Sequence, residues 1–341
     1  MLRLAPAALR FRAALPATLL CAALPATLLC AALPATLLCA ALPAAAADYT
    51  IMAPAAPGGG WDQTARAMQG ALVADGIAGT VEVVNVPGAG GTVGLQQFYR
   101  QAKGDPEALI VGGSVMVGAI ISNHSPIDLD MVTPIARLTG EAEAIVVPAA
   151  SDIATMADLV TRMKADPQWV VWAGGSLGGP DQILAAEVAK AAGVDPTQID
   201  YLAYAGGGEA LAALLESGGR VTAGVSGLGE FADAIRAGQL RLLAVSGAAR
   251  AAGFDAPTLR EAGIDVTLEN WRMVAAAPGL TAAQEQAIAA DIARLAASEA
   301  WRSALAAHGW TDRYLAGPAF AAELRDEVAR TRQILNELDL R

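Results

Sequence analysis

The chain is poor in the residues that most often carry chemistry. Its three cysteines, Cys21, Cys30 and Cys39, all precede Asp48, so nothing from Asp48 onward can form a disulfide or a thiolate-ligated metal site. Histidine is as scarce. His124 and His308 are the only two, too few for a His-rich metal centre. His308 precedes Gly309 at the end of a helical pattern, where histidine commonly caps, and His124 in "ISNHSP" reads as a loop residue. Positive charge is short too, with 23 basic against 34 acidic residues and a formal net charge of −11. Arg3, Arg10 and Arg12 precede Asp48, so the chain beyond carries 20 bases against the same 34 acids, a net −14. That excess argues against nucleic acid and anionic membrane as partners. No G-x-x-x-x-G-K-S/T loop exists, and "GAGGTVG" follows Pro87 and lacks the G-x-G-x-x-G spacing of a dinucleotide site. No cofactor and no metal is expected.

What is present begins with a targeting segment. Three arginines lead into Ala13–Ala47, a stretch without a single charge, closed by Ala45-Ala46-Ala47 before Asp48. Basic start, apolar middle and small-residue end describe an export signal cleaved near Ala47. Within it "AALPATLLC" occurs three times in tandem, followed by a truncated copy, which lengthens the apolar region beyond the roughly 20 residues that span a bilayer. A retained anchor is the alternative, but prolines every nine residues would kink such a helix.

From Asp48 on, short apolar runs alternate with helical patterns, the signature of an α/β protein. "DYTIMAP", "TVEVVNVP", "EALIVGG", "EAIVVPA", "WVVWAGG", "IDYLAYAGG", "RVTAGVSG" and "LRLLAVSG" read as strands, most followed by glycine and a helix. Trp61, Ala65, Met68 and Leu72 share one face of the first helix. Glycine loops recur at these junctions: "APGGGWD", "VPGAGGTVG", "GGSLGGPD" and "AGGGEA". A helix start offers unpaired N–H groups and about half a positive charge, and bare backbone lets an anion approach it. Two or three hydrogen bonds to a charged acceptor, about 1.5–3 kcal/mol each, outweigh the roughly 0.5–1 kcal/mol that each glycine costs. A single such loop is more simply a tight turn; four in one chain point to a shared anion site. Asp62, in a first helical turn with Arg66 four residues on, reads as a dipole cap and ion pair.

"PAAPGGGWDQTAR", "NVPGAGGTVG", "GGSLGGPDQILAAEVAKAAGVDP", "YAGGGEALAALLESGGRVTAGVSG" and "LRLLAVSGAAR…PTLREAGIDV…NWR" occur in order over nearly the whole chain beyond the signal. Together they resemble the extracytoplasmic solute receptors of tripartite tricarboxylate transporters, the TctC/Bug family. The resemblance implies an α/β, two-lobe periplasmic-binding-protein fold of the Venus-flytrap, type II-like kind, its lobes joined by two crossing strands near "RLTGEAEAIVV" and "TLENWRMVAAAP". It places lobe 1 at residues 48–140 plus 270–341 and lobe 2 at 141–269. The C-terminal helix would pack its stripe of Phe320, Leu324, Val328, Leu335 and Leu338 on lobe 1, starting at Gly317 and Pro318.

It further implies a periplasmic monomer that binds a small carboxylate, citrate-like tri- or dicarboxylates favoured, and delivers it to the transporter's membrane subunits. Family ligands are held by backbone amides, small hydroxyls and water from both lobes. Carried over by motif, the binding residues are Gly58, Gly59, Gly60, Trp61, Gly90, Gly91 and Thr92 from one side and Ser176, Gly178, Gly179, Gly207, Gly208 and Ser226 from the other. Gly113 and Ser114 follow less directly, because this chain reads "GDPEALIVGGS" where many relatives have a "PDGYT" turn. The rival class is a secreted serine hydrolase: Gly174 to Gly178 match G-x-S-x-G between a strand and a helix. Ser176 would then need His308 as base, with Asp265 or Asp291 as its acid. Nothing in the local sequence marks either acid for that task, so the chain is read as no enzyme.

Overall fold

The computed structural model describes residues 47–340; the expected export signal with its nine-residue repeat lies outside them. Three parallel strands open the chain: β1 (Ala47–Ala53), β2 (Ala78–Asn85) and β3 (Ala108–Gly113), with β1 central. Each is followed by a helix: α1 (Gly60–Ala74) after β1, α2 (Thr92–Gln101) after β2, and α3 (Ser114–Ser122) after β3. The β3 strand is buried at every position, as its unbroken run "ALIVGG" requires of a strand covered on both faces.

The next strand, β4 (Thr133–Pro148), is 16 residues long and works twice. Its first half pairs antiparallel with β9 (Glu269–Ala276), from Thr133↔Ala276 to Ala142↔Glu269, and with β10 (Thr311–Ala316). Its second half pairs with β7 (Ala223–Gly227) and β8 (Leu240–Val245). Beyond β7 lie β5 (Val171–Gly174) and β6 (Asp200–Ala203), both parallel, giving the strand path β2-β1-β3-β9-β4-β7-β5-β6. Helices α4 (Met156–Ala165), α5 (Pro180–Ala191), α6 (Gly207–Glu216) and α7 (Leu228–Arg236) cover this second part.

The apolar side chains sort into separate cores. One gathers Ile51, Met68, Leu109, Leu138, Trp301 and Phe320; two others are built round Ile145, Trp172 and Leu184, and round Val146, Leu214 and Phe231. Thus β4 supplies Leu138 to the first and Ile145 and Val146 to the others.

The chain ends in three helices, α8 (Ala282–Ala297), α9 (Glu299–His308) and α10 (Gly317–Glu337). As read from the sequence, α9 closes at His308, with Gly309 in the left-handed conformation at φ 70°. On α10, Phe320, Leu324, Leu335 and Leu338 are buried, while Val328 is half-buried; its cap is Ala316, one residue before the expected start. The β10 strand was not anticipated: four of its six residues are exposed, so it shows no apolar alternation.

Candidate functional site

The ends of β1, β5, β6 and β7 deliver their loops to one cavity of about 380 Å³. The first loop shows how. Gly58 takes φ +84°, a conformation that favours glycine, and its N–H donates 2.8 Å to Asp62 Oδ2. Arg66 and Asn85 hold the same carboxylate, at 3.0 and 2.9 Å. Burial alone would raise the Asp62 pKa; the Arg66 guanidinium and the Gly58 and Asn85 hydrogen bonds more than offset it and lower the value. Asp62 is therefore the loop's anchor and ion-pair partner, as its first-turn position suggested.

Gly60 has a different reason for lacking a side chain. A Cβ there would stand 2.6 Å from Nη2 of Arg272, so only glycine lets this guanidinium lie against the start of α1. Arg272 comes from β9 and is buried. Its Nη2 pairs with Glu141, whose other oxygen accepts 2.7 Å from Gly229 N–H, and its Cζ lies 5.0 Å from the Trp310 ring, on which His308 stacks. Its Nη1 is buried without a partner. A buried, unpaired guanidinium N–H costs free energy unless something from outside accepts it.

Of the residues expected from sequence, Gly59, Gly60, Trp61, Gly90, Gly91, Ser176, Gly207 and Ser226 line this cavity together. Gly58, Thr92, Ser114, Gly178, Gly179 and Gly208 do not belong to its wall. The Thr92 hydroxyl donates 2.9 Å to Ala89 O, and that of Ser114 donates 2.8 Å to Asn270 Oδ1. Gly178 packs on α3, and Gly208 faces open space. Several amides of these loops are already used within the protein: Gly59 N–H on Ala56, Gly91 on Gly88, Gly178 on Gln182 and Gly179 on Ser176. The Ser226 hydroxyl donates to Glu230 Oε2 at 2.7 Å.

Among the wall residues that sequence reasoning missed are Asp181, Glu230, Asn270 and Arg272. The "NWR" triplet carries two of them and was the one available signal. Asp181 and Glu230 sit in the first turns of α5 and α7 and read, like Asp62, as dipole partners. Burial, then the negative charge of Glu230 and Glu141, pushes Asp181 up to about 7 against the Gly175 N–H, which donates 2.8 Å to Oδ2. Burial raises Glu230 as well. It drives Glu143, fully buried with both oxygens unpartnered, well above the usual carboxylate range, helped by Asp181, Glu141 and Glu230. Tyr201, whose hydroxyl donates 2.9 Å to Gly175 O, is raised by burial and by Asp181 and Glu143.

The acids a hydrolase would need are engaged elsewhere. Asp265 pairs with Arg260 at the surface, and Asp291 accepts from the Tyr49 hydroxyl at 2.8 Å. His308 stacks on Trp310 at 4.2 Å, and burial lowers its pKa.

Loops at strand ends round one cavity, on a curled mixed sheet clothed in helices, define an α/β binding protein of the periplasmic solute-receptor class. The chain belongs to the tripartite tricarboxylate transporter family of receptors, TctC, whose family model matches residues 64–340. It is 26% identical over 292 residues to the protein BugT of Bordetella pertussis, an alignment covering 84% of this chain and 88% of that one. Among solved structures it is similar to a TctC solute binding protein from Polaromonas without ligand, at 27% identity and a TM-score of 0.63 over 85% of this chain and 98% of the other. It shares its fold with MatC from Rhodopseudomonas palustris with bound malate, at 22% identity and a TM-score of 0.72 over 86% and 100% of the two chains. No helix among the described residues is long and apolar enough to cross a membrane.

Proposed function

We propose that this receptor captures a small carboxylate in the periplasm, a citrate-like tri- or dicarboxylate being favoured, and hands it to the membrane subunits of a tripartite tricarboxylate transporter without making or breaking a bond. The observation that carries this reading is Arg272, whose buried Nη1 lacks an acceptor while the residue lines the cavity. A ligand carboxylate would supply that acceptor through a charge-assisted hydrogen bond. Malate in MatC, a protein of the same fold, is a ligand of this type. The glycine loops, Gly60 above all, bring backbone and guanidinium close enough for a small anion to touch both.

The receptor acts as a monomer whose lobes, residues 48–140 with 270–341 and residues 141–269, close on the ligand. Ligand favours closure only to the extent that it touches both sides. Thermal-shift screening of residues 48–341 against di- and tricarboxylates, aromatic acids and acidic amino acids tests the reading. A marked upward shift with a carboxylate that is recovered unchanged supports it; no shift with any acid contradicts it. An ester hydrolysed at a rate abolished by Ser176→Ala would establish the hydrolase instead.

A further inference from the structure

Carboxylate capture leaves one side of the cavity unexplained. Asp181 and Glu230 line it, the charge of Glu141 raises the pKa of both, and Arg272 is the only cation in the wall. An anion entering such a space meets two acids of the protein for each guanidinium, a juxtaposition that disfavours any ligand made of carboxylates alone. The two acids are also incompletely used. Gly175 N–H holds Oδ2 of Asp181, whose own N–H also reaches the carboxylate, and Ser226 and the Gly207 N–H hold Glu230, so each carboxylate keeps lone pairs for a further hydrogen. Arg272 Nη1 makes the complementary demand, since it is a buried donor with no acceptor. The residues of the wall thus hold one unpaired donor and two carboxylates that can each accept a further hydrogen.

We infer that the ligand answers both demands: one carboxylate on Arg272 and, on the same molecule, a hydroxyl or ammonium hydrogen accepted by Asp181 and Glu230. The inference rests on the receptor reading above and narrows it to small hydroxy- or amino-substituted carboxylic acids. Unsubstituted diacids are disfavoured, because their second carboxylate faces the acid wall and brings it no hydrogen. Asp181 and Glu230 are, in this account, the residues that select the substituent, and Arg272 the residue that retains the acid. Glu141 fixes the guanidinium through Nη2 and leaves Nη1 for the ligand.

Isothermal titration of residues 48–341 at pH 8 with succinate, malate and aspartate, and with tricarballylate and citrate, tests this directly. The substituted member of at least one set should bind at least about tenfold tighter than its unsubstituted parent, the size of one hydrogen bond to a charged group. Malate against aspartate then tells hydroxyl from ammonium. Glu230→Gln should bring that ratio within about threefold while binding persists. Unsubstituted acids binding as tightly as substituted ones would overturn the inference and leave the receptor reading standing. So would affinity for succinate that rises as the pH falls through 7, since the wall would then be donating its protons to a ligand carboxylate. A requirement for added magnesium would overturn it too, the acids then holding a cation. Silence from all five acids would remove the receptor reading and this inference with it.

Discussion

At the scale of single residues, the Arg272–Glu141 pair and the glycine beside it decide most of the behaviour of the site. Both side chains are only 3% exposed. Removing one partner of such a pair leaves a buried charge and costs about 3–5 kcal/mol, whereas replacing both by apolar groups of similar size is often neutral. Arg272→Met should therefore lower the melting temperature sharply, and adding Glu141→Met should restore part of the loss while binding stays absent. A single and a double variant equally destabilised would contradict the coupling. Gly60→Val should spare the fold yet weaken ligand binding at least about tenfold, because its Cβ occupies the position of the guanidinium; unchanged affinity in a calorimetric titration would show that Arg272 is not the anchor.

Asp181 makes a prediction about pH. Its carboxyl titrates at about 7 in the folded protein against an ordinary value of 3.8. Between those values the folded chain keeps a proton that the unfolded chain has released, so this group's contribution falls as pH rises from about 4 to about 7 and is spent above 7. Burial sets this first, and the charges of Glu230 and Glu141 add to it against the Gly175 amide and Asp181's own N–H. Asp181→Asn should flatten the fall in melting temperature over that window relative to the parent. A variant whose profile runs parallel to the parent's would place the titration elsewhere.

Among the elements, what the sequence made legible follows from how burial writes itself into it. The β3 and β7 strands are buried along their whole length and stand out as apolar runs; α1 shows its face through Trp61, Ala65, Met68 and Leu72. The β10 strand pairs through its backbone while exposing most of its side chains, so no pattern marked it. The glycine junctions were legible as helix starts, but not the separate reasons for their glycines: a left-handed turn at Gly58, room for Arg272 at Gly60. The acid wall stayed hidden, because a first-turn Asp or Glu looks the same in sequence whether it faces water or a cavity. Asp62 closes on its own loop and Arg66, whereas Asp181 lines the cavity. Another contact was equally invisible: a Cβ on Gly118 of α3 would stand 1.9 Å from the carbonyl oxygen of Gly178, ahead of α5. Gly118→Val should keep these helices apart and weaken ligand binding at least tenfold with circular dichroism unchanged, and a variant that binds as the parent does would deny this contact any part in closure.

For the molecule as a whole, the charge balance and the site pull in opposite directions. A net −14 beyond Ala47 is spread over a surface and screened within about 8–10 Å, while Arg272 acts at contact. Binding energy reaches the whole fold through linkage: at a hundredfold excess over Kd a ligand stabilises it by about 2.7 kcal/mol. The central claim is that Arg272 Nη1 holds the ligand's carboxylate, and a crystal structure of residues 48–341 with the tightest-binding acid tests it most directly. The account predicts a carboxylate oxygen within hydrogen-bonding distance of Nη1, beside the start of α1 at Gly60. A carboxylate bound elsewhere in the cavity, with Nη1 still unpaired, would contradict it.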